Sequence, residues 1–372
     1  MKQHETLYLE LLKASLLGQT PREESFAGLR APLWEEVCTL SDRQHTTAMV
    51  ADSILSLPEQ LQPPRALRLK LLLQREQIEK RNDQVNRVLG AITAQYNSLD
   101  LPTLLLKGQG AALNWPVPAH RSPGDIDLFF FRKGGDYEKA NRWVREQGVR
   151  CEQESVKHLG FDWHGVHIEN HHVMATFDRP KYNRYYQEEE ERLISAGNWK
   201  KEVIGGSEVL LLPSTFNACY LFVHLFHHFI HVGVSTRQLS DWLLLLQQKQ
   251  QEIDHREAAR LFDRLALSRP ASLFAAAAVR YLEIPPELFP IPPAKESPYI
   301  SRIMEDLLHG GHFGQYRPGK MRPTGLWSGR WHSYKQTIRR SLTMASLSPE
   351  HIPLLPIYKL KDRIKLTFQK NV

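Results

Sequence analysis

The run 121–131, RSPGDIDLFFF, constrains this chain more than any other segment. Residues 128–131 are apolar and β-prone, so the run reads as a strand starting near Asp125. Side chains alternate faces along a strand, which puts Asp125 and Asp127 on the same side. Two adjacent carboxylates raise each other's pKa unless a cation sits between them. A divalent ion with oxygen ligands is the natural cation, and Mg²⁺ in particular bridges carboxylates and substrate phosphates. Solvated Asp-x-Asp pairs are common at strand edges, so the surroundings carry the argument.

Upstream, 104–113 reads LLLKGQGAAL. Residues 104–106 form a short buried strand, Gly108 and Gly110 permit a tight turn, and a helix begins near Ala111. Backbone N–H groups at such a turn can receive a phosphate, and Lys107 adds a positive charge. The same residues also suit an ordinary strand-to-helix turn with Lys107 in solvent. Downstream, 165–173 reads GVHIENHHV, another strand. His167, Glu169 and His171 share one face, with Val166, Ile168 and Asn170 on the other. Glu169 is placed to be a third carboxylate at the same metal, or else a solvent-facing strand residue.

This combination resembles the uncharacterised nucleotidyltransferase family of bacteria, within the DNA polymerase β-like superfamily. It consists of Lys107-Gly108, Arg121, the GDID of 124–127, and the VHIENH of 166–171. The resemblance is strongest over residues 100–250. It implies an α+β nucleotidyltransferase fold, with a mixed-sheet core and helical N-terminal and C-terminal segments. It implies Asp125, Asp127 and Glu169 as catalytic metal ligands, with Glu169 helping to deprotonate the acceptor. Gly108 matches the glycine of the phosphate-holding turn. The family pattern often has Ser or Gly next, where this chain has Gln109, so Lys107 or Gln109 would have to substitute. Arg121 is close enough to reach a phosphate or to pair with a carboxylate, and equally suits an internal salt bridge. The implied cofactor is Mg²⁺ or Mn²⁺, with an NTP as co-substrate.

The chain's 372 residues suffice for two or three structural units and a large core. Hydrophobic (42%) and charged (24%) contents are ordinary for a soluble globular protein, and a cytoplasmic enzyme is expected. Cys38, Cys151 and Cys219 are too scattered for a disulfide framework or a cysteine zinc site. The N-terminus reads as an amphipathic helix rather than a signal peptide. The apolar stretch 216–234 carries four histidines and reads as a core helix rather than a membrane span.

The organisation expected is a helical segment at 1–100, the nucleotidyltransferase core at 101–206, a helical segment beside the active-site cleft at 207–300, and a basic region at 301–372. Strands are expected at 102–107, 125–131, 149–156, 159–164 and 166–173, and helices at 137–147 and 182–195. Pro213 and Ser214 open a further helix.

His224, His227, His228 and His231 recur at helical spacing on one face. That face can bind Zn²⁺, pack against aromatic rings, or line the substrate cleft; with His171 and Asp241, His224 and His228 are the candidate pocket residues. Arg237 and Asp241 lie four apart, as a surface pair would, although the resemblance puts Asp241 beside the cleft. Residues 315–372 carry twelve Lys or Arg against two Asp or Glu, while the other 314 residues sum to −3. Tyr316, Trp327, Trp331 and Tyr334 are interleaved with these charges, as in nucleic-acid-binding segments. The favoured reading is intramolecular: the region covers the triphosphate pocket or packs on the acidic remainder of the molecule. The expected reaction moves an NMP from an NTP to an unidentified hydroxyl acceptor, a small molecule or protein. Alternatives are an RNA- or tRNA-directed transferase, or a degenerate nucleotide-binding or interaction protein.

Overall fold

The computed structural model describes residues 1–155, 157–311, 326–358 and 360. The chain opens with helices α1 (Gln3–Leu17), α2 (Ala31–Arg43), α3 (Thr47–Ser56) and the long α4 (Arg65–Ser98). Gly18 ends α1 in the left-handed region, and Pro63-Pro64 sets the start of α4. Then come β1 (Leu104–Leu105), α5 (Gln109–Ala112), β2 (Ile126–Phe129), α6 (Asp136–Glu146), β3 (His158–Trp163), β4 (Val166–His171), α7 (Pro180–Ala196), β5 (Lys200–Ile204) and β6 (Ser207–Leu211). Helices α8 (Ser214–His231), α9 (Thr236–Gln248), α10 (His255–Arg264), α11 (Ser268–Leu282), α12 (Pro298–Gly310) and α13 (Leu326–Met344) complete the chain.

The strands form one six-stranded mixed sheet in the order β3-β4-β2-β1-β6-β5, so the fold is α+β with helices before and after the sheet. β2 runs parallel to β4 and antiparallel to β1, and β1 runs parallel to β6. Alternation along the strands separates two faces. On one, Ile126, Leu128 and Ile168 pack under Val85, Leu89 and Ile92 of α4 and Ala140 and Val144 of α6. On the other, Leu104, Leu106 and Phe129 join the larger core that includes α8 and α9. α8 buries twelve of its eighteen residues, eleven of them apolar, and the Trp242 indole of α9 donates to the Ala218 carbonyl of α8. Among the described residues, no helix is long and apolar enough to cross a membrane.

One expected strand is missing and two unexpected ones appear. Residues 149–156 contribute only an isolated bridge, Cys151 to Phe161, with residue 156 outside the described residues. The β5–β6 hairpin was not anticipated, although Gly205-Gly206 between two short β-compatible runs is a hairpin signal. The hairpin docks on α4 through bare backbone. A Cβ on Gly90 would lie 2.2 Å from the Gly205 carbonyl oxygen, and one on Gly205 would lie 1.8 Å from that of Asn86. Only glycine fits that crossing.

In the basic C-terminal region, Arg340 of α13 pairs with Asp306 of α12 and lies over the Phe229 ring of α8, so this charge packs inward. Trp331 is exposed and packs on Tyr334. Tyr316 and the side chain of Trp327 lie outside the described residues.

Candidate active site

The parallel β2–β4 pair sets Asp127 directly opposite Glu169. Paired residues in a sheet project to the same face, so both carboxylates point toward α8. Asp125, two residues before Asp127, shares that face at the open end of β2. All three line one cavity of about 530 Å³ between the sheet and helices α8 and α9. Partial burial, then the charges of Asp127 and Glu169, push the Asp125 carboxyl above the usual carboxylate range. Asp127 is 1% exposed. Burial opposes its ionisation, but Lys107 and His171 outweigh burial and hold it well below that range.

Lys107 follows β1 and reaches across to Asp127, with Nζ 2.9 Å from Oδ1. Burial works against its charge, but Asp127 and Glu169 more than compensate and raise it. His171 spans the two acids, with Nε2 3.1 Å from Asp127 Oδ1 and 3.0 Å from Glu169 Oε2. Oδ2 of Asp127 is buried with no hydrogen-bond partner. An orphaned carboxylate oxygen in a cavity shared with Asp125 and Glu169 is the oxygen-donor chemistry a divalent cation takes, although the three carboxylates do not stand at ligand spacing from one another.

Gly108 adopts φ +61°, and a Cβ there would lie 3.1 Å from the Asp125 carbonyl oxygen. The glycine turn therefore lies against the Asp125 backbone and lines the same cavity as the carboxylates. Gln109 is buried outside the cavity lining, and its amide donates to Asn82 and Asn86 of α4. Asn82 also donates to the carbonyls of Ala119 and Arg121. Gln109 thus ties the glycine turn and the loop before β2 to the same two α4 side chains.

Arg121 and Asp241 both reach the cavity wall but bind each other. Nε and Nη2 of Arg121 donate to Oδ1 and Oδ2 of Asp241 at 2.8 and 2.9 Å. The Trp115 indole donates to the same carboxylate at 2.8 Å. Arg237 is therefore not paired with Asp241, contrary to the four-residue spacing. Its Nη1 donates to the Ser122 carbonyl at 2.9 Å, and its buried Nε has no partner. Burial and the neighbouring Arg121 push its guanidinium down to about 10.

His224, His227, His228 and His231 all line the cavity opposite the carboxylates. Burial, then nearby cations, push His224 well below the usual imidazole range and His228 down to about 4. His231 pairs with Asp178 at 3.3 Å. Among the described residues, the metal-spaced cluster is His158, Glu169 and His171, and the α8 histidines form none. Asp125, Asp127 and Glu169 do not form one as a set of three either.

Sequence reasoning missed Lys157, His158 and Tyr220 in the lining and assigned Arg237 to the wrong partner. Lys157 is in no ion pair among the described residues. The alternation in HLGFDW would have placed His158 on the face it shares with Gly160 and Asp162.

Fold and site together define a mixed-sheet α+β protein with three carboxylates and a glycine turn on the floor of a cation-rimmed cavity. The chain belongs to the family described as "Uncharacterised nucleotidyltransferase", which matches residues 31–283. A solved structure it resembles is an antigenic nucleotidyltransferase-like protein from Paracoccidioides brasiliensis. Identity is 12%, the match covers 54% of this chain and 93% of that one, and the TM-score is 0.34. No curated protein matches.

Proposed function

We propose that this chain transfers a nucleoside monophosphate from an NTP to a hydroxyl acceptor and releases pyrophosphate. The observation that carries this reading is the register of Asp127 opposite Glu169, with Asp125 on the same face and Gly108 against the Asp125 backbone. Asp125 and Asp127 would hold a divalent ion, Mg²⁺ or Mn²⁺, accompanying the triphosphate. Bound there, the ion supplies charge neutralisation at the reacting phosphate.

The chain's own residues do the rest. Lys107, Lys157 and Arg237 bring positive charge to the cavity wall for the β- and γ-phosphates. The bare backbone at Gly108 admits a phosphate oxygen where a side chain would not. Glu169 orients the acceptor hydroxyl and takes its proton. The acceptor oxygen forms a bond to the α-phosphorus, the bond to the β-phosphate oxygen breaks, and pyrophosphate leaves. Arg121 and Asp241 brace the wall, because their charges are spent on each other.

The test is calorimetric titration of the four NTPs with and without Mg²⁺, on wild type and on Asp125→Asn/Asp127→Asn. Metal-dependent binding that disappears in the variant is the expected result, and it names the preferred base. Absence of binding by the folded wild type overturns the reading in favour of a degenerate core. Incubation with α-labelled NTP and candidate sugars, proteins or RNA then identifies the acceptor.

A further inference from the structure

The carboxylates are not alone on their face of the sheet. His158 stands directly opposite His171 across the antiparallel β3–β4 pair, with ring centroids 4.9 Å apart. Glu169, two residues before His171, lies on the same face. One of its oxygens is 3.0 Å from Nε2 of His171, and the other is 3.6 Å from Nε2 of His158. Each of the three residues has a ligand atom within 4.8 Å of the other two. A metal bound at about 2.0–2.2 Å by nitrogen and oxygen holds its ligands roughly 3.0–3.6 Å apart. Little movement would close this set around an ion.

Asp127 borders this cluster through its Oδ1 contact with His171 but is not at ligand spacing from all three members. Asp127, buried and adjoining His171, has an Oδ2 with no hydrogen-bond partner. Gly160 is registered opposite Glu169, and the Glu152 carboxylate and His167 imidazole lie where its side chain would stand.

Donor chemistry decides which ion fits. Mg²⁺ takes oxygen ligands and keeps its waters, whereas imidazole nitrogens select Zn²⁺, Co²⁺, Ni²⁺ and Fe²⁺. We propose that His158, Glu169 and His171 form a position for a first-row transition ion, separate from the Mg²⁺ that Asp125 and Asp127 would hold with the nucleotide. This rests on the nucleotidyltransferase reading for its role beside the substrate. A carboxylate that gives one oxygen to such an ion keeps the other for the acceptor's proton.

The experiment uses the full chain, stripped with chelator and titrated with Co²⁺ while the visible ligand-field band is recorded. The expected result is uptake of one Co²⁺ per chain without nucleotide, displaced by Zn²⁺ but not by about a hundredfold excess of Mg²⁺. His158→Gln, on the sheet-edge strand β3, should weaken Co²⁺ binding at least about tenfold with its circular dichroism unchanged. His171→Gln should do the same if it folds. No Co²⁺ uptake overturns the proposal, as does uptake indifferent to His158→Gln or displacement by equimolar Mg²⁺. Mg²⁺-dependent NTP binding is measured on the same preparation. Co²⁺ uptake without NTP binding removes the nucleotidyltransferase reading and keeps this ion position. NTP binding without Co²⁺ uptake does the reverse.

Discussion

The ammonium nitrogen of Lys107 lies 2.9 Å from Oδ1 of Asp127, a carboxylate that is 1% exposed and proposed to hold a metal ion. Cation and metal ion thus compete for one carboxylate, while the same cation helps to bind a triphosphate. Lys107→Met should tighten nucleotide-free divalent metal binding by roughly tenfold, because a repelling charge is gone. It should weaken Mg²⁺-NTP binding by at least about the same factor. Titration calorimetry with each ligand checks both signs, and a variant that moves both affinities in the same direction contradicts this account.

Gly108 combines a left-handed backbone with the Asp125 carbonyl 3.1 Å from where a Cβ would stand. Gly108→Ala should cost about 1–2 kcal/mol of stability and abolish most NTP affinity. Gly148 has a similar φ, +68°, with nothing within 4 Å of a Cβ. Gly148→Ala carries the same backbone strain and should leave NTP binding intact. Equal loss of binding in both variants would assign the effect to strain rather than to the turn.

The Arg121–Asp241 pair is buried, with the Trp115 indole on the same carboxylate. Asp241→Ala strands a buried guanidinium and an indole N–H, and should destabilise by about 3–5 kcal/mol in urea unfolding. Arg121→Met/Asp241→Leu removes both charges and should recover most of that loss. A double variant no more stable than Asp241→Ala would show that the pair does more than brace the wall.

Stability should peak near pH 6.5. Burial, then nearby cations, push His45 and His228 down to about 4, and hold His224 and His227 well below the usual range. Between pH 6.5 and 4 the unfolded chain binds protons that the folded one refuses, so stability falls with acid. Each such histidine contributes up to about 1.4 kcal/mol per pH unit. His120 runs the other way: burial opposes its charge, but Asp52 and Glu79 hold its pKa above the usual value. That stabilisation is complete below the unfolded pKa and is lost as pH rises through the folded one. Urea midpoints from pH 4 to 8 test the shape, and His228→Asn should flatten the acid limb.

Strand alternation is a local property, and it let the sequence by itself set Asp125 beside Asp127 and Glu169 beside His171, each pair on one face. The glycine after Lys107 and the helical spacing of the α8 histidines were equally legible, because both are short-range features of one segment. Sequence could not tell which distant group each side chain meets. Arg121 had three candidate partners, and packing against α9 chose Asp241, 120 positions away. Gln109 had the position of a phosphate ligand, and α4 turned it toward Asn82 and Asn86 instead. His158 reached the carboxylates only through its pairing with His171. Long-range partners follow from which surfaces pack to bury the most apolar area, and single-segment periodicity carries no information about that choice. The tertiary structure alone decided that the glycine turn, the three carboxylates and the histidine face close around one cavity.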